Sequence, residues 1–408
     1  MGRGMTRLLL LVFIAALAST AAAQAPPRLE TAAEAVEQDA RLYAAQHQVT
    51  QTEALRRLRV QQASATATDR IAAEFRGRLA GISIEHSPEF RIAVLLTGTE
   101  AVADRTLAVA GTSVPIVSHV GAKATHEQAA AAPRKHLIDF RNELPGSRGA
   151  GYDQRTGEVV LLVRSEDVER FGLDAIRSRA EQVGGVPVRV VINELLESNM
   201  VLAGGGRMDG PNALTGVRNI CTTGFVVTDG LRRGIATAAH CPDLLTYRDP
   251  AEGDSVLPFV GQWGLGYHDV QVNLAGAAAQ PLFYADRKSG TLRQLTSWRN
   301  LASTRAGDFV CHYGESSGYS CSDVELTDYA PPGALCGGPC SPTWVTMHGP
   351  NCMGGDSGGP VFSGTVAFGL AKGVNPSASG RCLFYYYMST DLLPPPWSLL
   401  YARPSAGN

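Results

Sequence analysis

Two stretches of this 408-residue chain decide its interpretation, and they read Gly355-Asp356-Ser357-Gly358-Gly359-Pro360 and, upstream, Thr237-Ala238-Ala239-His240-Cys241. A serine hydroxyl is a weak nucleophile at neutral pH, so it needs an imidazole to accept its proton and donors to hold the developing oxyanion. Because glycine takes positive φ angles readily, the N–H groups of Gly355 and Ser357 can converge on one point. We predict that Ser357 is a nucleophile, that His240 is its base, and that Gly355 and Ser357 form an oxyanion hole.

Each stretch alone has a plainer interpretation, namely a surface turn and a histidine satisfied in the core. Together they resemble the signature segments of chymotrypsin-fold serine endopeptidases, which have small-Ala-His-Cys followed by Gly-Asp-Ser-Gly-Gly. The resemblance implies an all-β double six-stranded antiparallel barrel with the active site between the barrels. It also implies a third catalytic residue, an aspartate between positions 240 and 357.

Asp269 is the best candidate for this aspartate. Residues 269–274 alternate polar and apolar side chains like a strand, and an acid at the head of such a strand can point at the imidazole. Asp254 lies in a turn-like segment closer to His240, and we expect His268 to be a partly solvated neighbour rather than a second base. The alternative for Asp269 is an ordinary carboxylate at a strand edge.

Residues 311–321 resemble the disulfide hairpin of the alpha-lytic protease and streptogrisin branch, which is bacterial. In that branch an arginine usually follows the first cysteine and neutralises the aspartate before the nucleophile. Here the position is His312. We expect either that a protonated His312 pairs with Asp356, so that activity falls at high pH, or that His312 faces water.

All eight cysteines lie between Cys221 and Cys382. An even number confined to one segment of an exported chain is typical of a disulfide framework, although spacing alone does not choose the pairs. The family resemblance implies the pairs Cys221–Cys241, Cys311–Cys321 and Cys352–Cys382, and the remaining Cys336 and Cys340 would then close a short loop. A zinc site is the rival interpretation, which the spacings suit poorly, so we expect no metal and no cofactor.

The N-terminus has the pattern of a signal peptide over residues 1–23. Arg3 and Arg7 precede an apolar run over 8–18, and Ala21-Ala22-Ala23 fits a cleavage site. That run is too short to span a bilayer, so we expect secretion, extracellular or periplasmic, without a membrane anchor. A net charge of −2 with 44% hydrophobic residues indicates a globular protein without a nucleic-acid surface. The expected partners are protein or peptide substrates, bound by a monomer.

Residues 24–200 have no cysteine and a mixed helix and strand pattern. Thr31 with Glu34, and Thr50 with Glu53, predict capping boxes that begin two helices. Strands are predicted over 81–85, 91–96, 114–117, 159–163 and 187–192, and later helices over 127–140 and 166–183. This α+β pattern in two small lobes resembles the pro-region of the same protease branch, which implies a folding template and inhibitor for a protease domain over 201–408. A permanent accessory binding domain is the alternative.

The substrate cleft is less sharply specified by the sequence. The strand over 369–374 should pair with an extended substrate through its backbone at Ala371, Lys372, Gly373 and Val374. Pro350 and Asn351 should form the floor of the primary pocket. No carboxylate stands at this floor and Val374 replaces a frequent family glycine, which predicts small or medium apolar P1 residues.

These observations predict a secreted serine endopeptidase, made as a pre-pro-enzyme, that hydrolyses peptide bonds through an acyl-enzyme. The alternative is a protease-fold protein that its N-terminal half holds inactive, serving as a dormant enzyme or a binding module.

Overall fold

The computed structural model describes residues 28–132, 147–192, 198–199, 205–211, 216–249, 253–275, 279–331, 335–349, 351–376 and 382–402. The predicted signal peptide and most of the predicted junction near residue 200 lie outside these residues. Within them, no helix has both the length and the apolar character needed to cross a membrane.

Three consecutive helices lie near the start of the described chain, over Ala32–His47, Gln51–Ala63 and Ala65–Glu74. The first begins with the predicted capping box, in which Thr31 Oγ1 accepts from the Glu34 N–H at 3.2 Å and Glu34 Oε2 accepts from the Thr31 N–H at 2.8 Å. The second helix begins with only one of the two hydrogen bonds of a capping box. Thr50 caps the N–H of Glu53 at 3.2 Å, but the Glu53 carboxylate pairs with Arg57 at 2.6 Å.

Two small α+β units follow the helices. The first is a four-stranded sheet in the order Leu79–Glu85, Arg91–Thr97, Thr112–Ala122, Arg105–Val109. The second has the strands Ser147–Asp153, Glu158–Val163 and Val188–Ile192 and the helices Ser165–Phe171 and Leu173–Gly184. The single helix predicted over 166–183 is wrong, because Gly172 takes a φ of 82° and divides it. The helix predicted over 127–140 is present over 126–132, and the rest of it lies outside the described residues.

The chain after residue 205 is built mainly from antiparallel strands, with parallel pairings at Thr291–Gln294 and Ser297–Trp298. One four-stranded sheet contains Arg207–Pro211, Arg218–Thr222, Leu245–Asp249 and Gly253–Leu257, and a five-stranded sheet contains Val226–Thr228, Arg233–Thr237, Phe259–Trp263, Val270–Leu274 and Ser398–Leu399. A hairpin of Leu282–Asp286 and Thr291–Gln294 pairs with Arg28–Glu30 from the N-terminus.

The last third of the chain contributes the strands of a larger sheet. They are Phe309–Gly314, Gly318–Asp323, Thr327–Ala330, Trp344–His348, Pro360–Ser363, Val366–Pro376 and Cys382–Ser389, and the short strand Ser297–Trp298 pairs at one side. The ladder order of this sheet is open among the described residues, although one bridge between Val324 and Met347 links its two sides. Thr327–Ala330 also pairs with Ser147–Asp153, so the ladder continues into the N-terminal half. The predicted β-rich character is present, and the double six-stranded barrel stays a prediction.

A buried ion pair also joins the two halves. The fully buried guanidinium of Arg293 contacts Asp39 at 2.9 Å and Glu30 at 3.1 Å. The second oxygen of Asp39 accepts from the Gly364 N–H at 2.6 Å. A buried charge that loses its partner is left uncompensated, so this contact should be sensitive to substitution.

We expect Asp39→Asn to lower the free energy of unfolding of the intact chain by about 3 kcal/mol, because Arg293 would keep its charge and lose a buried partner. Urea denaturation in a Ser357→Ala background, which removes the candidate nucleophile, measures this change.

The matched control is Arg28→Ala, which breaks an exposed pair with Glu34 and should change the free energy of unfolding by less than about 0.5 kcal/mol. Equal destabilisation by the two substitutions would contradict the importance of the buried pair.

Candidate active site

Two neighbouring strands bring His240 and Asp269 together. The strand Arg233–Thr237 leads into His240, and it pairs antiparallel with Val270–Leu274, which begins directly after Asp269. The end of one strand and the start of the other therefore lie at the same edge of the five-stranded sheet. The pairing places both side chains beside the turn that contains Ser357.

The three predicted catalytic side chains form one hydrogen-bonded series. His240 Nδ1 lies 2.9 Å from Asp269 Oδ2 and 3.2 Å from Oδ1, and His240 Nε2 lies 2.8 Å from Ser357 Oγ. Ser357 is fully buried by the surrounding chain. A proton on Nδ1 donated to the carboxylate leaves Nε2 free to accept from the serine hydroxyl, which is the orientation that a general base requires.

Asp269 is charged although only 2% of its surface is exposed. Burial acts to raise the pKa of this carboxyl, but His240 and Lys372 together outweigh burial and lower the pKa to about 2. Lys372 Nζ lies 3.1 Å from Asp269 Oδ2. The carboxylate therefore remains ionised at any pH at which the imidazole can act as a base.

The alternative residues that the sequence offered lie elsewhere or have other surroundings. Asp254 is exposed and pairs with Arg248, away from the imidazole. His268 is half-buried, as predicted, and burial lowers its pKa. Its ring lies 4.0 Å from that of Tyr267, centroid to centroid.

The turn that contains Ser357 is held by close backbone contacts. Gly358 has a φ of 81°, and a Cβ atom there would lie 2.2 Å from the hydroxyl of Thr237, so a side chain does not fit. The N–H of Thr222 donates to the Ser357 carbonyl at 2.9 Å. Gly355 also has a positive φ, 130°. The oxyanion hole formed by Gly355 and Ser357 stays a prediction.

The structure contradicts both expectations for His312. Its side chain is buried, so it does not face water, and its Nε2 lies 3.9 Å from Asp356 Oδ2. Burial lowers the pKa of His312 to about 3, so the imidazole is neutral. The Asp356 carboxylate accepts instead from the N–H groups of Met353 at 2.9 Å, Ser317 at 3.1 Å and Ser316 at 3.2 Å. Burial raises the pKa of Asp356, although the hydrogen bonds from Ser317, Met353 and Ser316 act in the opposite direction.

The four expected disulfides join Cys221–Cys241, Cys311–Cys321, Cys336–Cys340 and Cys352–Cys382. Two of them flank the candidate site. Cys241 follows His240 directly, and Cys352 lies at the start of the turn that leads to Ser357. These loops have little regular structure, so each covalent link restrains its own loop, at Cys241 to the strand Arg218–Thr222 and at Cys352 to the strand Cys382–Ser389.

The strand Val366–Pro376 lies directly under the turn of the candidate nucleophile. The Ala371 carbonyl accepts from the Gly358 N–H at 2.7 Å, and the Ala371 N–H donates to the Gly359 carbonyl at 2.9 Å. Both backbone groups of Ala371 are therefore used within the protein. Ala371 supports the turn rather than pairing with a substrate, which corrects the sequence-based prediction for this residue.

Further along the same strand, the backbone is paired with another part of the chain. Gly373 lies opposite Asn199 and Val374 opposite Ser198 in an antiparallel ladder. The position predicted for an extended substrate is thus occupied by residues from the predicted junction. Such strand addition is the geometry in which an extended peptide binds to a sheet.

The predicted pocket residues are only partly described. Pro350 lies outside the described residues, whereas Asn351 is exposed and its N–H donates to Ser320 Oγ at 3.0 Å. Val374 is buried in an apolar cluster with Cys352 and Tyr385. The surroundings of Val374 are apolar, and the character of the pocket stays a prediction.

The side chain of Lys372 is the part of the site that sequence analysis missed, because only its backbone was assigned a role. A usable signal was present. Lys372 stands in the segment Gly369-Leu370-Ala371-Lys372-Gly373-Val374, which is otherwise apolar or glycine, and lysine is almost never fully buried unless it is paired.

An aspartate, an imidazole and a serine hydroxyl in this order and geometry define a site of the Ser-His-Asp triad class on a β-sheet scaffold. No family model matches the chain. The chain is similar to Streptogrisin-C of Streptomyces griseus, with 27% identity over 177 residues, which are 42% of this chain and 36% of that protein. The chain thus spans about a third of the length of this relative.

Solved structures of bacterial proteases are also similar to the chain. Thermobifida fusca Protease A is 20% identical with a TM-score of 0.39, covering 49% of this chain and 99% of that one. Nocardiopsis protease is 20% identical with a TM-score of 0.36, and the match covers 46% of this chain and 91% of that one. The similarity to Streptogrisin-C confirms the resemblance to bacterial serine proteases that the sequence motifs predicted.

We expect His312 to stay neutral from pH 5 to pH 9, since its buried imidazole has a pKa of about 3. An NMR titration of its Cε1–H resonance measures this directly, and the half-buried His268 serves as an internal comparison. A His312 resonance that titrates within this range would restore the ion pair with Asp356 and contradict the neutral assignment.

Proposed function

We propose that the chain is a secreted serine endopeptidase made as a pre-pro-enzyme, with a signal peptide over 1–23, a pro-region over 24–200 and a protease domain over 201–408. The observation that carries this proposal is the series from Asp269 through His240 to Ser357, with distances of 2.9 and 2.8 Å. The similarity to Streptogrisin-C supports it.

In the proposed reaction the Ser357 oxygen attacks a peptide carbonyl while His240 Nε2 takes the hydroxyl proton. The tetrahedral intermediate collapses to an acyl-enzyme as the imidazolium gives that proton to the leaving amine. Water then attacks the ester in the same way, and the acid product leaves. Asp269 holds the proton on Nδ1, and the N–H groups of Gly355 and Ser357 bind the oxyanion, each contributing about 3 kcal/mol of transition-state stabilisation.

Three contacts support a pro-region that acts as a folding template and inhibitor. The strand Ser147–Asp153 extends the sheet at Thr327–Ala330, and the segment Ser198–Asn199 lies on the cleft strand. The Asp39–Arg293 pair adds a buried contact between the halves. A β-rich domain with many non-local contacts folds slowly, and attached strands that present a template can lower its barrier.

The second candidate is a dormant enzyme or binding module, and one specific observation favours it. The cleft strand is paired with Ser198–Asn199 at Gly373 and Val374. If this pairing is permanent, no substrate reaches Ser357. If the chain is cut near residue 200, the same segment can leave the cleft.

We expect a fluorophosphonate probe to label Ser357 of a secreted chain that begins near residue 200, because the triad activates this hydroxyl. Mass spectrometry of the labelled chain identifies both the residue and the new N-terminus. The secreted chain should shorten by about half, whereas a Ser357→Ala variant should remain full-length if the cut is self-processing.

The matched control is Ser363→Ala, which replaces a buried serine on the adjacent strand and should leave labelling and shortening intact. A full-length, folded and unlabelled wild-type chain would favour the dormant or binding role instead.

For substrates we propose small to medium apolar P1 residues, because Val374 lies in an apolar cluster. Peptide amides with alanine or valine at P1 should be cleaved at least about tenfold faster, in kcat/KM, than those with lysine or arginine. Val374→Gly should widen the pocket and raise the rate for phenylalanine relative to alanine. Fastest cleavage after lysine or arginine would contradict the proposed pocket.

A further inference from the structure

A lysine side chain lies behind the candidate triad. Lys372 is only 1% exposed, and its Nζ lies 3.1 Å from Asp269 Oδ2 and 3.0 Å from the Leu335 carbonyl. The same nitrogen lies 5.1 Å from the centre of the Trp344 ring. The ammonium thus meets a carboxylate, a carbonyl oxygen and an aromatic face.

This environment is specific for a cation. Burying an unpaired ammonium costs several kcal/mol, so lysine occupies such a position only where acceptors replace its water. An aromatic face adds a further attraction for the positive charge. The Asp269 oxygen that meets Lys372 is Oδ2, which also receives the closer hydrogen bond from His240 Nδ1. Asp269 therefore lies between the imidazole and the ammonium.

We propose that Lys372 is a positioning residue of the triad, whose ammonium fixes the Asp269 carboxylate and sets the lower pH limit of catalysis. This inference rests on the proposed protease function and deepens it. It assigns the side chain a role separate from that of the backbone on the cleft strand.

The sign of the effect follows from the charges. Protonation of His240 places a positive charge next to Asp269, and the carboxylate alone would favour that charge. Lys372 already offsets part of the negative charge and repels a second cation. Removing the ammonium should move the acid limb of the rate profile to higher pH.

The other ionisable groups near the site do not produce this effect. Among the described residues, the ionisable side chains in contact with Asp269 are His240 and Lys372. His268 precedes Asp269 in the chain and is half-buried, and burial lowers its pKa, which disfavours a positive charge there. Asp356 accepts its hydrogen bonds from Ser316, Ser317 and Met353, on the far side of the nucleophile turn.

The first test is the pH dependence of kcat/KM for the processed enzyme and for Lys372→Met and Lys372→Arg. We expect the methionine variant to shift the midpoint of the acid limb upward by about one pH unit, the low end of the effect of a nearby charge. Its plateau rate should also fall, because the carboxylate loses a contact that orients it. The arginine variant keeps the charge, so its limb should stay within about 0.3 pH units of the wild-type limb.

Probe labelling gives the folded and active fraction of each variant before rates are compared. Lys372→Gln is the second neutral variant, since it retains hydrogen bonding to Asp269 without a charge. An acid limb that is the same in the wild type and the neutral variants overturns the proposal. If both neutral variants fail to fold, Lys372 has a purely structural role, and the proposal is also overturned.

A second measurement does not depend on activity. In a Ser357→Ala background, NMR follows the His240 ring protons as the pH is lowered, with and without Lys372→Met. The imidazole should become protonated about one pH unit higher in the methionine variant. An inactive wild type would count against the proposed function while this titration still tests Lys372. If the wild type is active but the His240 titration is unchanged in Lys372→Met, the proposed role of Lys372 is overturned and the proposed protease function is not.

Discussion

The negative charge of Asp269 inside a β-sheet core is the constraint on which the rest of the structure depends. An isolated ionised carboxylate at this depth would be very costly, and it would take up a proton rather than stay charged. The charge persists because His240, in the turn after Arg233–Thr237, and Lys372, on the strand Val366–Pro376, reach the same oxygen. The requirement for both partners ties the register of the five-stranded sheet to the strand that supports Ser357. A slip of one residue in either strand would turn a partner to the opposite face.

The loops that contain the imidazole and the hydroxyl are held by different means. His240 is adjacent to the Cys221–Cys241 bridge, and the Ser357 turn follows Cys352. Backbone hydrogen bonds from Thr222 and to Ala371 fix the turn itself. The paired strands thus position the Asp269 carboxylate. Disulfides and glycine-containing turns position the His240 imidazole and the Ser357 hydroxyl, which exchange a proton. This division suits a site in which the acid must be buried and the serine must be reached by a peptide.

The sequence predicts those residues of the site whose role is marked by their neighbours in the chain. His240 and Ser357 are identified because their neighbours have the small and glycine residues that a tight turn requires, and Asp269 because strand alternation follows it. The break at Gly172 and the incomplete capping box at Glu53 were missed, since each depends on a local competition that composition does not reveal. Lys372 and His312 were misjudged for another reason. The burial of both side chains depends on parts of the chain that are far away in the sequence and meet only once the strands are paired.

The sequence did not predict that the sheet continues into the N-terminal half, because this pairing also joins distant parts of the chain. The pairing forms part of the interface between the two halves. Their interface has an apolar part, where Tyr43 and Leu58 pack into the main core cluster. It also has polar contacts. Besides Arg293 with Asp39, the Gln61 side chain accepts from the Phe309 N–H at 2.7 Å and donates to the Phe309 carbonyl at 3.1 Å.

Polar groups of this kind can exchange their partners for water when two surfaces separate, whereas a large apolar face would be left exposed and prone to aggregate. A buried ion pair contributes little net free energy, because its attraction is offset by the cost of removing both charges from water. Loss of one partner alone is nevertheless costly. The polar contacts make the interface specific while the two halves are joined. After the halves separate, each can expose these polar groups to water. Such an interface is consistent with the proposed pro-region, which would guide folding, cover the cleft strand and then be removed.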